Sequence, residues 1–324
     1  MLLALTKQDN IIRLESRHLK ISSKSGGETD IIPVNLLDRV ILTEPSRISG
    51  AVMQQLLEVH IPVILIGKNG KYLGQMHYTP GGDCQRRRLQ AMLPAEDLLQ
   101  PAINLLDAKL YNQKRVLQRL AANRRQHCPA CRTMECLRRK LPLQKNPDQL
   151  KGIEGLAAHC YFEALSSYFP EWCAFSKRCK RPAMDPANAL LSYSYAIMTG
   201  EMENLIRLHA LDPAFGFLHC KNYDTPALAL DLLEPFRPGY CDMLVINLLT
   251  HHHLRREHFT ATENGMRLTP DGWRIFFRAW EEKRARKFKN NGILTSWQNV
   301  WDLQVRNWLK FLTDGILPSF FRLY

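Results

Sequence analysis

Short apolar runs separated by turn residues fill roughly the first 80 positions, and longer runs with a helical period fill the rest. Ile11-Ile-Arg-Leu14, Leu19-Lys-Ile21, Ile31-Ile32 and Arg39-Val-Ile-Leu42 are strand-sized, with Ser25-Gly-Gly27 as a turn between them. Positions 49–59 place Ala51, Val52, Leu56 and Leu57 at helical spacing, which predicts one helix covering the sheet. Ile61-Pro-Val-Ile-Leu-Ile66 reads as a buried strand, Lys68-Asn-Gly70 as its hairpin turn and Tyr72-Leu73 as the start of the return strand. Pro80-Gly-Gly82 then breaks the composition.

From Asp83 onward the apolar period predicts helices over 85–92, 102–120, 149–168, 186–210, 240–254, 273–287 and 295–312. Two breaks interrupt them: a polar, cysteine-bearing insertion at about 123–147, and a loop over 172–186. The expected fold class is α+β. A small N-terminal β domain, 1–82, is β-sandwich-like with one covering helix; a larger all-α domain, 83–324, follows.

Composition refines this picture in three ways. The longest apolar runs, such as Ile61-Pro-Val-Ile-Leu-Ile66, fall far short of the roughly 20 residues a bilayer requires. The opening Met1-Leu-Leu-Ala-Leu5 is too short for a signal sequence and lacks a basic flank, so the expected location is cytoplasmic, with no membrane partner. Lys and Arg number 44 against 31 Asp and Glu, a net charge of +13. The basic residues cluster at Arg86-Arg87-Arg88, Arg124-Arg125, Arg138-Arg139-Lys140, Lys177-Arg178 with Lys180-Arg181, Arg255-Arg256, and 283–289. One such cluster is ordinarily a solvated surface, but six together favour a polyanionic partner, with nucleic acid first. The nine cysteines, in that compartment, read as thiols or metal ligands and not as a disulfide framework.

Candidate chemistry sits where polar groups interrupt apolar stretches. Asn146-Pro147 is a helix start, and Leu150, Glu154, Ala157, Tyr161, Ala164 and Tyr168 then recur along one stripe, with an acid in its midst. Thr225-Pro226 repeats the start and Pro235 is expected to end that helix, so Asp231 and Glu234 share one face of an Ala/Leu helix. His219 closes the apolar run Phe215-Gly-Phe-Leu218 and is delivered to the same interior. Taken singly, these are a paired acid and a core histidine. Taken together, they suggest a site for a hard divalent cation suited to phosphoryl transfer.

These residues stand in longer motifs: Lys68-Asn-Gly-Lys-Tyr-Leu-Gly74 after the Ile61-Pro-Val strand, Lys151-Gly-Ile-Glu-Gly155, Asp185-Pro-Ala-Asn-Ala-Leu-Leu-Ser-Tyr193, Leu211-Asp-Pro-Ala-Phe-Gly-Phe-Leu-His219, Ala229-Leu-Asp-Leu-Leu-Glu-Pro-Phe-Arg-Pro238 and Asp242. In that order, over nearly the whole chain, they resemble the CRISPR-associated Cas-one family, the integrase that inserts new spacers. The resemblance implies metal ligands at Glu154, His219 and Glu234, with Asp231 an acid adjoining the site, all four counted as catalytic. It implies manganese or magnesium as cofactor. It also implies double-stranded DNA (prespacer and CRISPR repeat) as partner, a homodimer through the β domain, and association with a Cas-two dimer. The expected reaction joins prespacer 3′-hydroxyl ends to the repeat boundary by transesterification. Arg86, Arg87, Arg88, Lys177, Arg178, Arg255, Arg256, Lys283 and Arg286 are the candidate DNA phosphate contacts. Two other readings stay open: a metal-dependent nuclease on branched or single-stranded DNA, and a non-catalytic DNA-binding subunit.

His127-Cys128-Pro-Ala-Cys131 with Cys136 has zinc-ligand spacing, and Cys173 and Cys179 flank the next loop. These five cysteines are candidate structural zinc ligands, a feature the family pattern does not demand; the alternative is reduced thiols in a surface insertion. His251-His-His253 points in different directions along a helix and reads as surface. Trp273, Trp280, Trp297, Trp301 and Trp308 read as core, and His159 and Cys160 as packing.

Overall fold

The computed structural model describes residues 1–7, 9–23, 29–67, 70–78, 84–179, 182–219, 225–290 and 292–323. The expected turns at 25–27 and 68–69, the break at 80–82, Lys180, Arg181 and Cys220 lie outside the described residues.

The N-terminal strands are β1 (Leu2–Leu5), β2 (Asn10–Glu15), β3 (His18–Ser23), β4 (Asp30–Pro33), β5 (Arg39–Leu42) and β6 (Ser46–Ile48). Helix α1 (Gly50–Glu58) follows, started by Ser49, whose hydroxyl accepts the Val52 N–H, and then β7 (Val63–Ile66) and β8 (Tyr72–Met76). They form two four-stranded sheets, ordered β1-β5-β7-β8 and β4-β3-β2-β6. Strand alternation divides the first sheet between two cores. Val40 and Val63 pack with Leu3, Ile12, Val52 and Leu56 inside the sandwich, whereas Ile41, Ile64 and Ile66 join the helical core.

Helices α2 (Cys84–Met92), α3 (Leu99–Asn123), α4 (Ala130–Lys140), α5 (Pro147–Ser166), α6 (Pro186–Leu208), α7 (Ala227–Leu233) and α8 (Met243–Thr250) come next. Hairpin β9 (Phe259–Thr262) and β10 (Gly265–Leu268), helix α9 (Pro270–Ala285), hairpin β11 (Lys287–Asn290) and β12 (Ile293–Ser296), and α10 (Trp297–Asp314) complete the order. Helix α6 runs through the middle, buried along most of its length. It lies so close to β7 that a Cβ on Gly200 would come within 2.9 Å of the Ile64 side chain. Arg39, buried at the seam, holds Glu201 of α6 at 2.6 Å and also pairs with Glu281 of α9.

Three expectations are corrected. The cysteine-bearing segment contains helix α4, packed on α3 and α5, rather than being a plain polar break. Two hairpins decorate the helical half; the charged Lys287-Phe-Lys-Asn290 continues a basic helical run and so conceals a strand. Pro235 does not stop the chain from coiling. After α7 come a 3₁₀ turn, Glu234–Phe236, a π turn, Arg237–Asp242, and α8 without a break. Prolines 235 and 238 each remove an N–H, and the change of helical pitch accommodates the loss. The five tryptophans are core, as their spacing suggested.

Candidate active site

Asn146 starts α5 by accepting the Gln149 N–H at 3.0 Å, and Pro147 occupies the first turn. This start sets the stripe that buries Leu150, Ala157 and Tyr161 and leaves Glu154 half-buried at the edge of a cavity of about 510 Å³. Glu234, wholly buried, enters the cavity from the turn after α7. His219 comes from the loop between α6 and α7. Glu154, His219 and Glu234 each offer a ligand atom, and these atoms lie within 4.8 Å of one another; among the described residues no other His, Cys, Asp and Glu group converges so closely.

Asp231 builds the loop that carries His219. Its Oδ2 accepts the Phe217 and Leu218 N–H groups at 2.6 and 2.9 Å, and its Oδ1 accepts the His219 N–H at 3.2 Å. The same Oδ1 meets His219 Nδ1 at 2.5 Å, which leaves Nε2 as the ring nitrogen available to a cation. Gly216 permits this turn: a Cβ there would sit 2.7 Å from the Ala227 Cβ and 2.9 Å from Asp231 Oδ2. Burial works against charge on His219, but the Asp231 bond and the nearby carboxylates hold its pKa above the ordinary imidazole value.

Two cations face the acids. Lys109, from the middle of α3, puts Nζ 2.6 Å from Glu154 Oε1 and 2.8 Å from Glu234 Oε2. Arg237 brings a guanidinium nitrogen to 2.7 Å from Glu234 Oε1. Burial pushes Glu234 up, but Arg237, Lys109 and His219 outweigh it and hold the carboxyl at about 2. Behind them, Tyr161 and Tyr195 donate to the two oxygens of buried Asp242 at 2.8 and 2.6 Å. Burial nonetheless raises Asp242 to about 6. Arg237 and Arg178 both lie over the Tyr195 ring, at 4.7 and 5.4 Å.

Sequence reasoning missed Lys109. Its only signal was a lysine flanked by Leu105, Leu106, Ala108 and Leu110, all buried. Arg237, from the same motif as Glu234, pairs with that acid.

The basic residues divide. Lys177 is exposed at the cavity rim; Arg88, Arg256 and Arg286 are exposed, and Arg87 is half-buried. Arg86 donates to the His209 carbonyl, and Arg255 to the His252 carbonyl. Lys283 is a correction. Its amine donates to the Gly239 and Tyr240 carbonyls of the π turn at 2.9 and 2.7 Å and is not directed to a phosphate. Arg178 lines the cavity, yet its guanidinium is largely bound by Asn188 Oδ1, Ser192 Oγ and the Cys179 carbonyl.

The five candidate zinc cysteines are spread over several elements. Cys128 and Cys131 lie at the start of α4, Cys136 is exposed on it, Cys173 is buried in the next loop and Cys179 is exposed. They assemble no cluster of three ligands. Burial, with Cys128 adding to it, pushes the Cys131 thiol up to about 12, and burial does the same for Cys173. His159 is exposed at the cavity rim, not packed, while Cys160 is half-buried. His251, His252 and His253 are on the surface.

Two carboxylates and an imidazole form a donor set for a hard divalent cation. Both Glu234 oxygens are buried, and Lys109 and Arg237 approach them without the alignment of a hydrogen bond. The residues therefore fit such an ion. Among the described residues, no helix is long and apolar enough to cross a membrane.

These features define a class: an α+β protein with a carboxylate–imidazole cluster in a cavity of its helical half. A model of the family described as CRISPR associated protein Cas1 matches residues 3–282, and the chain belongs to that family. It is 28% identical over 309 residues to the CRISPR-associated endonuclease Cas1 3 of Thermus thermophilus, covering 94% of this chain and 92% of that protein. It is 31% identical over 284 residues to Cas1 1 of the same organism, covering 87% and 86% respectively. A casposase solved bound to integration product matches with a TM-score of 0.89 and 26% identity over 97% of this chain and 91% of that one.

Proposed function

We propose that the chain is a divalent-metal-dependent DNA integrase of CRISPR adaptation, joining prespacer 3′-hydroxyl ends to the repeat boundary. The convergence of Glu154, His219 and Glu234 in one cavity carries this reading. Likeness to a casposase bound to its integration product supports the choice of DNA strand transfer.

Manganese or magnesium, when bound, would draw charge from the scissile phosphoryl group. Glu154, His219 and Glu234 would hold it, and Asp231 fixes the imidazole with Nε2 free. The cavity confines the attacking hydroxyl, while Lys177, Arg88, Arg256 and Arg286 offer exposed charge to the duplex phosphates. In the reaction a prespacer 3′-oxygen forms a bond to phosphorus and the repeat strand's 3′-oxygen leaves. The proton of the first hydroxyl ends on the second, so no energy source is needed.

Family membership further supports residues 1–82 as the dimerisation unit, residues 83–324 as the catalytic unit, and a Cas-two dimer as partner. A second reading, hydrolytic cleavage of branched or single-stranded DNA with water as nucleophile, draws support from the endonuclease name of the Thermus relative. A labelled duplex offered to a repeat-bearing plasmid, with and without Mn²⁺ or Mg²⁺, separates them. Covalently joined product only with the ion is the expected result; cleavage without joining, with the partner present, selects the nuclease.

A further inference from the structure

We infer that Lys109 is a tethered counter-cation of the ion site: its ammonium competes with a divalent ion for Glu154 and Glu234, and the ion enters by displacing it. This rests on the metal site proposed above. Lys109 is buried, on a turn of α3 whose neighbours Leu105, Leu106, Ala108 and Leu110 are fully enclosed. An ammonium there needs an anion, and one carboxylate would suffice. Lys109 instead takes one oxygen from each of two candidate ligands carried by different elements, at 2.6 and 2.8 Å.

A divalent ion bound to those oxygens at about 2.1 Å would stand no more than about 5 Å from Nζ, and like charges at that range in a half-buried site repel strongly. The chain provides the ammonium with another berth. Gln113 lies one turn further along α3, on the same face, lining the same cavity. It is 3% exposed, and its buried Oε1 has no hydrogen-bond donor. A carbonyl oxygen so placed accepts the ammonium once the glutamates are taken. Lys109 thus keeps two acids together in the protein free of metal, and weakens the site for metal in return.

The test is Mn²⁺ binding to the full chain without DNA, measured calorimetrically and by the loss of free-ion EPR signal. Four proteins are compared: wild type, Lys109→Met, Lys109→Gln and Glu154→Gln. Removing the competing charge is expected to tighten Mn²⁺ binding by about tenfold in both lysine variants. Thermal unfolding should show a lower Tm without metal and a larger rise with it. Unchanged or weaker binding in whichever lysine variant retains the wild-type circular dichroism overturns the inference. If Glu154→Gln abolishes binding while the lysine variants do not tighten it, only the role of Lys109 fails. If wild type and Glu154→Gln bind Mn²⁺ alike, or neither they nor the lysine variants bind it, the metal site fails and this inference with it.

Discussion

The cavity wall made by α3, α5 and the turn after α7, and the patch where α4 packs on α3 and α5, both carry ligand-type side chains. Inside the cavity the buried acids face partners. Asp231 is held by three backbone N–H groups and the imidazole, and Glu234 lies between Lys109 and Arg237. On α4 the charges are settled among Glu135, Lys114, Arg138 and Asp107, and the cysteines take no part in those pairs. Ligands far apart in the chain converge because three core-anchored elements bring them together. Cys128 and Cys131, close in the chain, meet each other at a helix start but gather no third ligand among the described residues. Spacing within one segment is thus a weaker guide to a metal site than inward polarity on several packed elements.

The strongest way to break this contrast is to delete an acid from the cavity. Glu154→Ala is expected to lower strand transfer by about a thousandfold or more, because such a site loses both a ligand and its charge balance. Binding of a duplex, measured by fluorescence anisotropy, should change little. Integration at wild-type rate with Mn²⁺ would remove Glu154 from the site.

Acid stability gives the next effect. Glu234 is held at about 2, below the ordinary 4.5, so it stabilises the fold above about 4.5 and that contribution is lost as pH falls towards 2. The shift corresponds to about 3 kcal/mol as an upper bound. Asp242 has the opposite sign. Raised from 3.8 to about 6, it favours the fold below 3.8, and that contribution fades as pH rises through 6. Urea unfolding from pH 7 to 2.5 should show the Glu234 slope in wild type and its absence in Glu234→Gln. Asp242→Asn should remove the slope between about pH 4 and 6 instead. An acid limb unchanged in Glu234→Gln would mean the carboxylate is not held by its cations.

A smaller loss is expected from Asp231→Asn. The amide oxygen can still accept the Phe217 and Leu218 N–H groups, but an NH₂ then replaces the oxygen that accepts from His219, and no charge stands behind the imidazole. Strand transfer and Mn²⁺ affinity should each fall by about 10- to 100-fold. His219→Ala combined with Asp231→Asn should cost no more than His219→Ala alone, since Asp231 acts through the ring. Additive losses in that double-mutant cycle would give Asp231 a separate role.

How far the sequence could be read follows the same division. Glu154, Asp231 and Glu234 were legible because each interrupts a run that must be buried, and a buried acid without a partner is costly. The sandwich strands were legible from apolar runs punctuated by turn residues, as Ile61 to Ile66 illustrates. Lys109 was not, since a lysine in a long helix ordinarily reaches solvent. Lys283 was misjudged as a surface cation because nothing local foretells a π turn, whose carbonyls it binds. The helical course past Pro235 was hidden for the same reason: its stability comes from packing, with Phe236 and Tyr240 fully buried.

The cysteine patch should give the smallest response, and there the contrast is sharpest. Cys128→Ser with Cys131→Ser removes the pair with zinc spacing. Cys131 is half-buried, and its thiol, raised to about 12, is protonated at neutral pH. A hydroxyl of similar shape replaces it at a cost of about 1 kcal/mol or less, with strand transfer within about twofold of wild type. Elemental analysis of protein purified without added metal should find zinc well below one equivalent, and a chelator should leave the Tm of metal-free protein unchanged. One equivalent of zinc, lost together with the fold in the double variant, would require Cys128 and Cys131 to recruit ligands from beyond α4. Both regions would then be metal sites, and the convergence of distant acids would no longer set the cavity apart.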